Sequence, residues 1–391
     1  MPIDGVRRIA VLRANKLGDF VVALPALEAL RAAYPRAEIV LLGCDWHAEL
    51  LRGRPGPVDR VVPVPPTRGV REGGTEDPAE VDRFVATMRA ERFDLAIQMH
   101  GGGRWSNPLV ARLGARTTVG LRAPDAPPLD RCLPYAWYQP EVHRYLELVG
   151  LVGAAPVTLH PRLSLVDGDG AAAAALLPGG GPVAALHPGA DDPRRRWPVA
   201  SFAAVGDGLA ARGATVAVTG TAAERPLVDA VVAAMRHPAV PLAGTLSLPG
   251  LAGLYGRCAV VVANDTGPRH LAAAVGAATV GVYWAGNLVN AGPATRGRHR
   301  AHVSWTVDCP VCGARLPEPE LPAAHHGRPC PHDESWVAEV GVGPVLADAL
   351  ALLADTPAPG STVGPAPTGK RRPRICRSSA PRPASAARRH C

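Results

Sequence analysis

Asn264-Asp265-Thr266-Gly267-Pro268-Arg269-His270-Leu271 is the stretch of this sequence best built to hold an anion. It follows a strand-like run at 259–263 and leads into a helix-like run at 271–276. A helix N-terminus carries unpaired N–H groups and a partial positive charge, which suits phosphate. Asp265, Thr266 and Gly267 are residue types that let a chain turn there and a ligand come close. The expectation is a site for a phosphorylated ligand at the carboxyl end of a parallel sheet. His270, one turn into the helix, either faces that site or packs inside.

Other groups have the same strand-end placement. His187-Pro188-Gly189-Ala190 closes a strand-like run at 183–187, and Arg194-Arg195-Arg196-Trp197-Pro198 follows. A glycine turn with guanidinium groups suits a diphosphate, since arginine donates paired hydrogen bonds to phosphate oxygens. The competing reading is a solvated basic loop. Glu224, after Gly220-Thr221, can accept from ribose hydroxyls or simply place a charge in a helix first turn. Lys16-Leu17-Gly18-Asp19 joins the first strand to the first helix, where a doubly wound sheet opens its ligand crevice. Asp19 is there a general base or, as the residue alone favours, a helix cap; Lys16 binds an anion or is ordinary surface. Neither G-x-G-x-x-G nor a Walker A motif is present, which argues against NAD and NTPase chemistry.

Cys309-Pro310-Val311-Cys312, followed by Cys330-Pro331-His332, has metal-like spacing, with His325 and His326 between. Cys309, Cys312, Cys330 and His332 are candidate ligands of a structural zinc. The alternative is a cysteine loop without metal, and no metal is assigned to catalysis.

The elements that would position these groups alternate strand and helix. Strands are expected at 8–13, 37–42 and 93–99, and helices at 21–34 (Pro25 in its opening turn), 80–91, 107–113 and 143–152. Pro178-Gly179-Gly180-Gly181-Pro182 reads as a linker. A second alternation follows, with strands at 183–187, 215–219, 240–242, 259–263 and 279–283 and helices at 199–212, 222–235 and 248–257. This is α/β, doubly wound, in two halves: 1–177, 182–355, and a tail at 356–391. The chain is 47% hydrophobic but 4% aromatic, so its cores must be aliphatic. The tail holds eight Lys/Arg and no acid, which accounts for the whole net charge of +8 and leaves residues 1–355 balanced. Its Pro/Ser/Ala/Arg composition predicts disorder; the favoured reading is a solvated tail, the alternatives are weak contact with an anionic membrane surface or with nucleic acid, and no specific nucleic acid is expected. The start of the chain lacks a secretory pattern, no apolar run reaches the roughly 20 residues of a membrane span, and the eight scattered cysteines do not argue for disulfides. The expected location is the cytoplasm, including the inner face of the membrane.

Taken in order, Leu17-Gly18-Asp19-Phe20-Val21-Val22-Ala23-Leu24-Pro25, Phe93-Asp94-Leu95-Ala96-Ile97, His143-Arg144-Tyr145-Leu146, His187-Pro188-Gly189-Ala190, Arg196-Trp197-Pro198, Leu242-Ala243-Gly244-Thr245 and the Asn264–Leu271 stretch make the chain resemble glycosyltransferase family 9. That is the group of the ADP-heptose:lipopolysaccharide heptosyltransferases. The resemblance runs from about residue 8 to about residue 346.

The resemblance implies a GT-B fold, two Rossmann-like domains facing across a cleft, with acceptor on the first and nucleotide sugar on the second. It implies inverting transfer from a nucleoside-diphosphate sugar, ADP-heptose by default, with no cofactor required. Asp19 matches the family's general base, which takes the acceptor proton. Arg195, with Arg196, and the N–H groups near Thr266 and Gly267 would stabilise the departing diphosphate. Asp265 would contact the donor sugar, Glu224 the ribose, and His187 and Gly189 the donor turn, with His270 beside them. On the acceptor side stand Lys16 and the loop of His100 and Arg104, which is richer in glycine than usual. Arg269 stands where an apolar residue is common, and the tail lies outside the family pattern. The acceptor is a glycan, a lipid-linked intermediate or a small metabolite. A sugar-nucleotide epimerase and a non-catalytic nucleotide-sugar-binding protein are the alternatives on the same fold.

Overall fold

The computed structural model describes residues 1–177, 181–314 and 331–355. The basic tail, His325, His326 and Cys330 lie outside the described residues.

The first half carries β1 (Arg8–Leu12), α1 (Leu17–Ala33), β2 (Glu38–Gly43), α2 (Asp45–Leu51), β3 (Arg60–Pro63), α3 (Pro78–Ala90), β4 (Leu95–Gln98), α4 (Ser106–Arg112), β5 (Thr117–Arg122), β6 (Arg131–Pro134) and α5 (Glu141–Gly150). After α6 (Ala171–Leu176) come β7 (Val183–His187), α7 (Val199–Ala210), β8 (Thr215–Gly220), α8 (Arg225–Ala234), β9 (Val240–Ala243), α9 (Leu248–Arg257), β10 (Cys258–Asn264), α10 (Gly267–Ala274), β11 (Ala278–Trp284), α11 (Ala285–Ala291), β12 (His299–Ser304) and α12 (Val342–Ala354).

The strands form two parallel six-stranded sheets, β3-β2-β1-β4-β5-β6 and β12-β11-β10-β7-β8-β9. Each order reverses between its two central strands, and ligands of such sheets bind outside the strand ends at that point. In the first sheet the reversal lies between β1 and β4, with Leu12 opposite Gln98. In the second it lies between β10 and β7, with Ala263 opposite His187. The sequence motifs at 16–19, 187–190 and 264–271 therefore hang directly over the two crevices.

Strand alternation explains the layers. Ile9, Val11, Ile39, Leu41, Leu95 and Ile97 face α1 and α5, while Ala10, Leu12, Val40, Leu42 and Ala96 face α3 and α4. In the second sheet Ala184, Leu186, Val260 and Val262 pack against α7, α8 and α12. Its other face, with Ala185 and Val261, joins the apolar cluster of α1 through Leu271 and Ala272 of α10. The halves thus share one continuous core at the cleft floor. A buried two-point pair, Arg54 to Asp169 at 2.6 and 2.8 Å, fixes the end of α2 to the segment before α6.

Two expectations change. Helix α1 begins at Leu17, so Leu17, Gly18 and Asp19 form its first turn, and Pro25 lies in its interior. Strands β3, β5, β6 and β12 and helices α2, α6, α11 and α12 carry no motif and are not among the expected elements.

Candidate functional site

On the first half, Lys16 caps α1 with extended backbone and no side-chain bond, and Phe20 N donates to Lys16 O at 3.1 Å. Asp19 is therefore not the cap. Its carboxylate lies 3.5 Å from the guanidinium of Arg13, whose Nε also donates to Asp19 O at 3.1 Å. Arg13 is 3% exposed and is itself held by Met99 O at 2.7 Å, by the ring of Tyr145, and by Glu141 at 3.9 Å. Burial raises the Glu141 carboxyl above its ordinary range, with Arg13 opposing. Arg144 ties Glu141 to the carbonyls of Ala136, Trp137 and Gln139. Arg13, Glu141 and Arg144 were not singled out as site residues from the sequence.

On the second half, buried Asn264 joins three motifs. Its Nδ2 donates to Pro188 O at 2.8 Å, and its Oδ1 accepts from Trp197 N at 3.0 Å. Arg196 Nε adds a bond to Ala190 O at 2.9 Å. Thr266 caps α10 without a side-chain bond; Pro268 has no N–H, and Arg269 N and His270 N donate back to Thr266 O, so Gly267 N–H is the first-turn amide that the helix start offers a ligand. Asp265, almost fully buried, sits among Arg269 (3.6 Å), His270 (3.5 Å) and Arg195 (4.0 Å), and accepts from Asn287 Nδ2 at 3.0 Å. Burial acts to raise its pKa but is outweighed by His270, Arg269 and Arg195, so the net shift is downward. Burial and Arg269 lower the pKa of His270, and Arg269 reaches its Nε2 at 2.9 Å.

These two sets meet. One cavity of about 190 Å³ is lined by Gly18, Asp19 and Glu141 from the first half and by Arg195, Asp265, Thr266, Gly267 and His270 from the second. Lys16 reaches it too, paired with Asp191 at 3.0 Å across the halves. A larger cavity of about 1250 Å³ shares Val22, His270, Asn290 and Ala291 with it. A carboxylate, several cations and a helix N-terminus around one small space can deprotonate a hydroxyl while binding a leaving phosphate.

Not every expected residue lines that space. His187 is buried, bonded to Thr219 Oγ1 at 3.0 Å, and burial holds its pKa down at about 4 with Glu224 opposing. Gly189 and Glu224 are in contact, since a Cβ on Gly189 would stand 2.0 Å from Glu224 Oε1. Glu224 closes a capping box with Thr221, its Oε2 accepting from Thr221 N at 2.8 Å. His100 is buried behind Arg13, near Ala14 N at 3.4 Å, and burial followed by Arg13 pushes its pKa down to about 3. Arg104 lies on the surface, 3.4 Å from Asp125. His100 and Arg104 line neither cavity. Of the expected zinc ligands, Cys309, Cys312 and His332 converge, while Cys330 lies outside the described residues.

The model of the family described as glycosyltransferase family 9 (heptosyltransferase) matches residues 81–312. Lipopolysaccharide heptosyltransferase 1 of Pseudomonas aeruginosa is 28% identical over 321 residues, 78% of this chain and 86% of that one. Lipopolysaccharide heptosyltransferase 2 of Salmonella typhimurium is 28% identical over 297 residues, 71% and 82% of the two chains. Among solved structures, a family 9 glycosyltransferase of Veillonella parvula aligns with a TM-score of 0.74 at 19% identity, covering 91% of this chain and 99% of that one. The E. coli ADP-heptose lps heptosyltransferase II aligns at 0.69 and 20% identity, covering 89% and 98%. These structures share the fold, which is the two-domain GT-B arrangement. With the family match spanning more than half of its length, the chain belongs to glycosyltransferase family 9 and is a glycosyltransferase.

Proposed function

We propose that this enzyme transfers a sugar, with inversion, from a nucleoside-diphosphate donor to an acceptor hydroxyl, using Asp19 as the base. The observation that carries the reading is the shared cavity, with Asp19 on the first half and Arg195, Thr266 and Gly267 on the second. Single displacement needs base and leaving group on opposite sides of the sugar, and the two halves offer those sides separately. The first half handles the acceptor and the second the donor. Relatives named as lipopolysaccharide heptosyltransferases support heptose as the sugar and a glycan or glycolipid of the cell envelope as the acceptor, and the aligned E. coli ADP-heptose lps heptosyltransferase II supports ADP as the carrier.

In this mechanism Arg195 and the N-terminus of α10, with Gly267 N–H, take up the charge of the departing diphosphate, as preorganised donors do most effectively. Asp265 orients the donor sugar, and Asn287 and Arg269 hold Asp265. Protein cations, rather than a divalent metal, do this work: Asp265, Asp191, Asp192 and Asp19 are each paired with an Arg, Lys or His. The larger cavity, with Leu159, Leu163, Arg162 and Arg298 in its wall, receives the acceptor. Use of a nucleotide-sugar donor argues for reaction in the cytoplasm; no described helix is long and apolar enough to cross a membrane.

The test is calorimetric binding of ADP, UDP, GDP and dTDP, with turnover of ADP-heptose by the wild type and by Asp19→Asn. Selective ADP binding, weakened by ~1–3 kcal/mol in Arg195→Ala, is expected. Asp19→Asn should keep that affinity and lose roughly 10²–10⁴-fold in kcat. Full activity in Asp19→Asn removes the base assignment, and binding of no nucleotide removes the donor site.

A further inference from the structure

We infer that Cys309, Cys312 and His332 bind a zinc ion that pins the chain segment walling the Arg194–Arg195 side of the cleft.

The ligand atoms of the three residues all lie within 4.8 Å of one another, and Cys309 Sγ stands 3.8 Å from His332 Nδ1. A tetrahedral zinc with bonds of about 2.3 Å to sulfur and about 2.0–2.1 Å to nitrogen separates such atoms by roughly 3.5–3.8 Å. The cluster is thus close to the spacing a zinc ion imposes.

The turn is built for the purpose. Gly313, just after Cys312, has φ +68, where a side chain would be strained. Gly313 N donates to Cys309 O and Cys309 N donates to Ala314 O, both at 2.8 Å. This closed loop brings Cys309 and Cys312 to one side, with Cys309 3% exposed and Cys312 open to solvent. Two thiolates and an imidazole are a donor set that suits zinc and is closed to hard cations.

The location says what the ion does. Cys309 follows Thr306, whose carbonyl accepts from Trp284 Nε1 at 2.7 Å. His332 precedes Trp336, whose N–H donates to Arg194 O at 2.7 Å. Trp284 and Trp336 meet edge to face at 6.2 Å, and together with Arg194, Arg195, Asp192 and Asn287 they line a cavity of about 150 Å³. A metal joining 309, 312 and 332 holds both tryptophans, and through them the backbone of the arginine segment. This last link rests on the donor reading of Arg195; the metal site itself does not.

Metal analysis of the full-length protein, with X-ray absorption at the zinc edge, tests the site. Expected is about one zinc per chain, with sulfur near 2.3 Å and nitrogen near 2.0–2.1 Å in its shell. Cys312→Ser, at an exposed position, and His332→Ala should each lose the zinc while keeping the wild-type circular dichroism. Both should bind ADP several-fold more weakly. Substoichiometric metal in protein grown with added zinc, or full zinc in both variants, overturns the site. Iron at full stoichiometry overturns its assignment to zinc. Loss of zinc with unchanged ADP affinity overturns the wall role, and failure of the wild type to bind ADP overturns the donor reading while the zinc result stands.

Discussion

Gly18 and Gly267 lie against each other across the cleft. A Cβ on Gly267 would stand 2.9 Å from Leu17 Cβ and 3.0 Å from Gly18 N, and one on Gly18 would stand 3.2 Å from His270 Cδ2. The N-termini of α1 and α10 therefore touch where neither has a side chain. Each brings a positive helix end to the same cavity.

Gly267→Ala should push these ends apart. Overpacking of this kind costs ~1–3 kcal/mol. At a site where reacting groups must be held closely, the loss should fall on catalysis: kcat/KM drops by ten-fold or more while circular dichroism stays native. Gly56→Ala, with nothing within 4 Å of the added methyl, is the matched control and should be silent. Equal kinetics for the two variants would show that the close approach does not matter.

Asn264→Ala removes both bonds by which β10 holds the turns at 188 and 197. A buried donor or acceptor left unmatched costs ~1–3 kcal/mol. The variant should melt several degrees lower and bind ADP less tightly, because Arg195 and Thr266 lose their common support. A melting temperature and ADP affinity like those of the wild type would dismiss Asn264 as the hub.

Much of this arrangement is legible in the amino-acid sequence. Central strands of a parallel sheet are buried on both faces, so β7 and β10 read as unbroken apolar runs, and the turns after them stood out by contrast. Asp265, Thr266, Gly267, Arg195 and Asp19 accordingly meet in one cavity. Arg13 was hidden because it looks like the last residue of a strand, and its partners Met99 and Glu141 are far away in sequence. Glu141 opens α5 with no motif to mark it. The α1 start was misplaced because Lys16 gives no side-chain cap, the usual signal. Strands β3 and β6 escaped notice because partly exposed edge positions need no apolar pattern. His100 and Arg104 share a glycine-rich loop, yet one side chain turns into the core and the other to solvent, and composition does not encode that difference.

Acid should unfold the enzyme early. His47 and His100 are held down at about 3, and His187 at about 4, chiefly by burial. An unfolded histidine titrates near 6.5. Between about pH 6.5 and about pH 4 the unfolded chain therefore binds more protons than the folded one, and stability falls as pH falls. Each locked histidine contributes up to ~1.4 kcal/mol per pH unit across that window. Above pH 7 the term is flat. Melting temperatures from pH 7.5 to 4.5 should show the decline, and His100→Gln should make it shallower. A flat profile across that range would mean the three imidazoles charge freely in the native state.

The last prediction concerns Arg13, which we treat as a positioning residue for Asp19. Its guanidinium stands between two carboxylates, Asp19 at 3.5 Å and Glu141 at 3.9 Å, and opposes the upward pull of burial on Glu141. Arg13→Met keeps much of the packing against Tyr145 but removes the charge. Asp19 then faces Glu141 with Arg13's charge gone and only Arg144 left on Glu141, and the first proton binds more tightly. The acid limb of kcat/KM should move to higher pH, and kcat should fall at neutral pH. Donor KM should hardly change, because Arg195 and the α10 N-terminus are untouched. Arg13→Lys, which restores the charge without the guanidinium fork, should return part of the lost kcat and part of the shift. A purely structural role would lower stability and the amount of active enzyme but leave the acid limb in place. An unmoved limb in Arg13→Met would therefore separate Arg13 from the chemistry of Asp19.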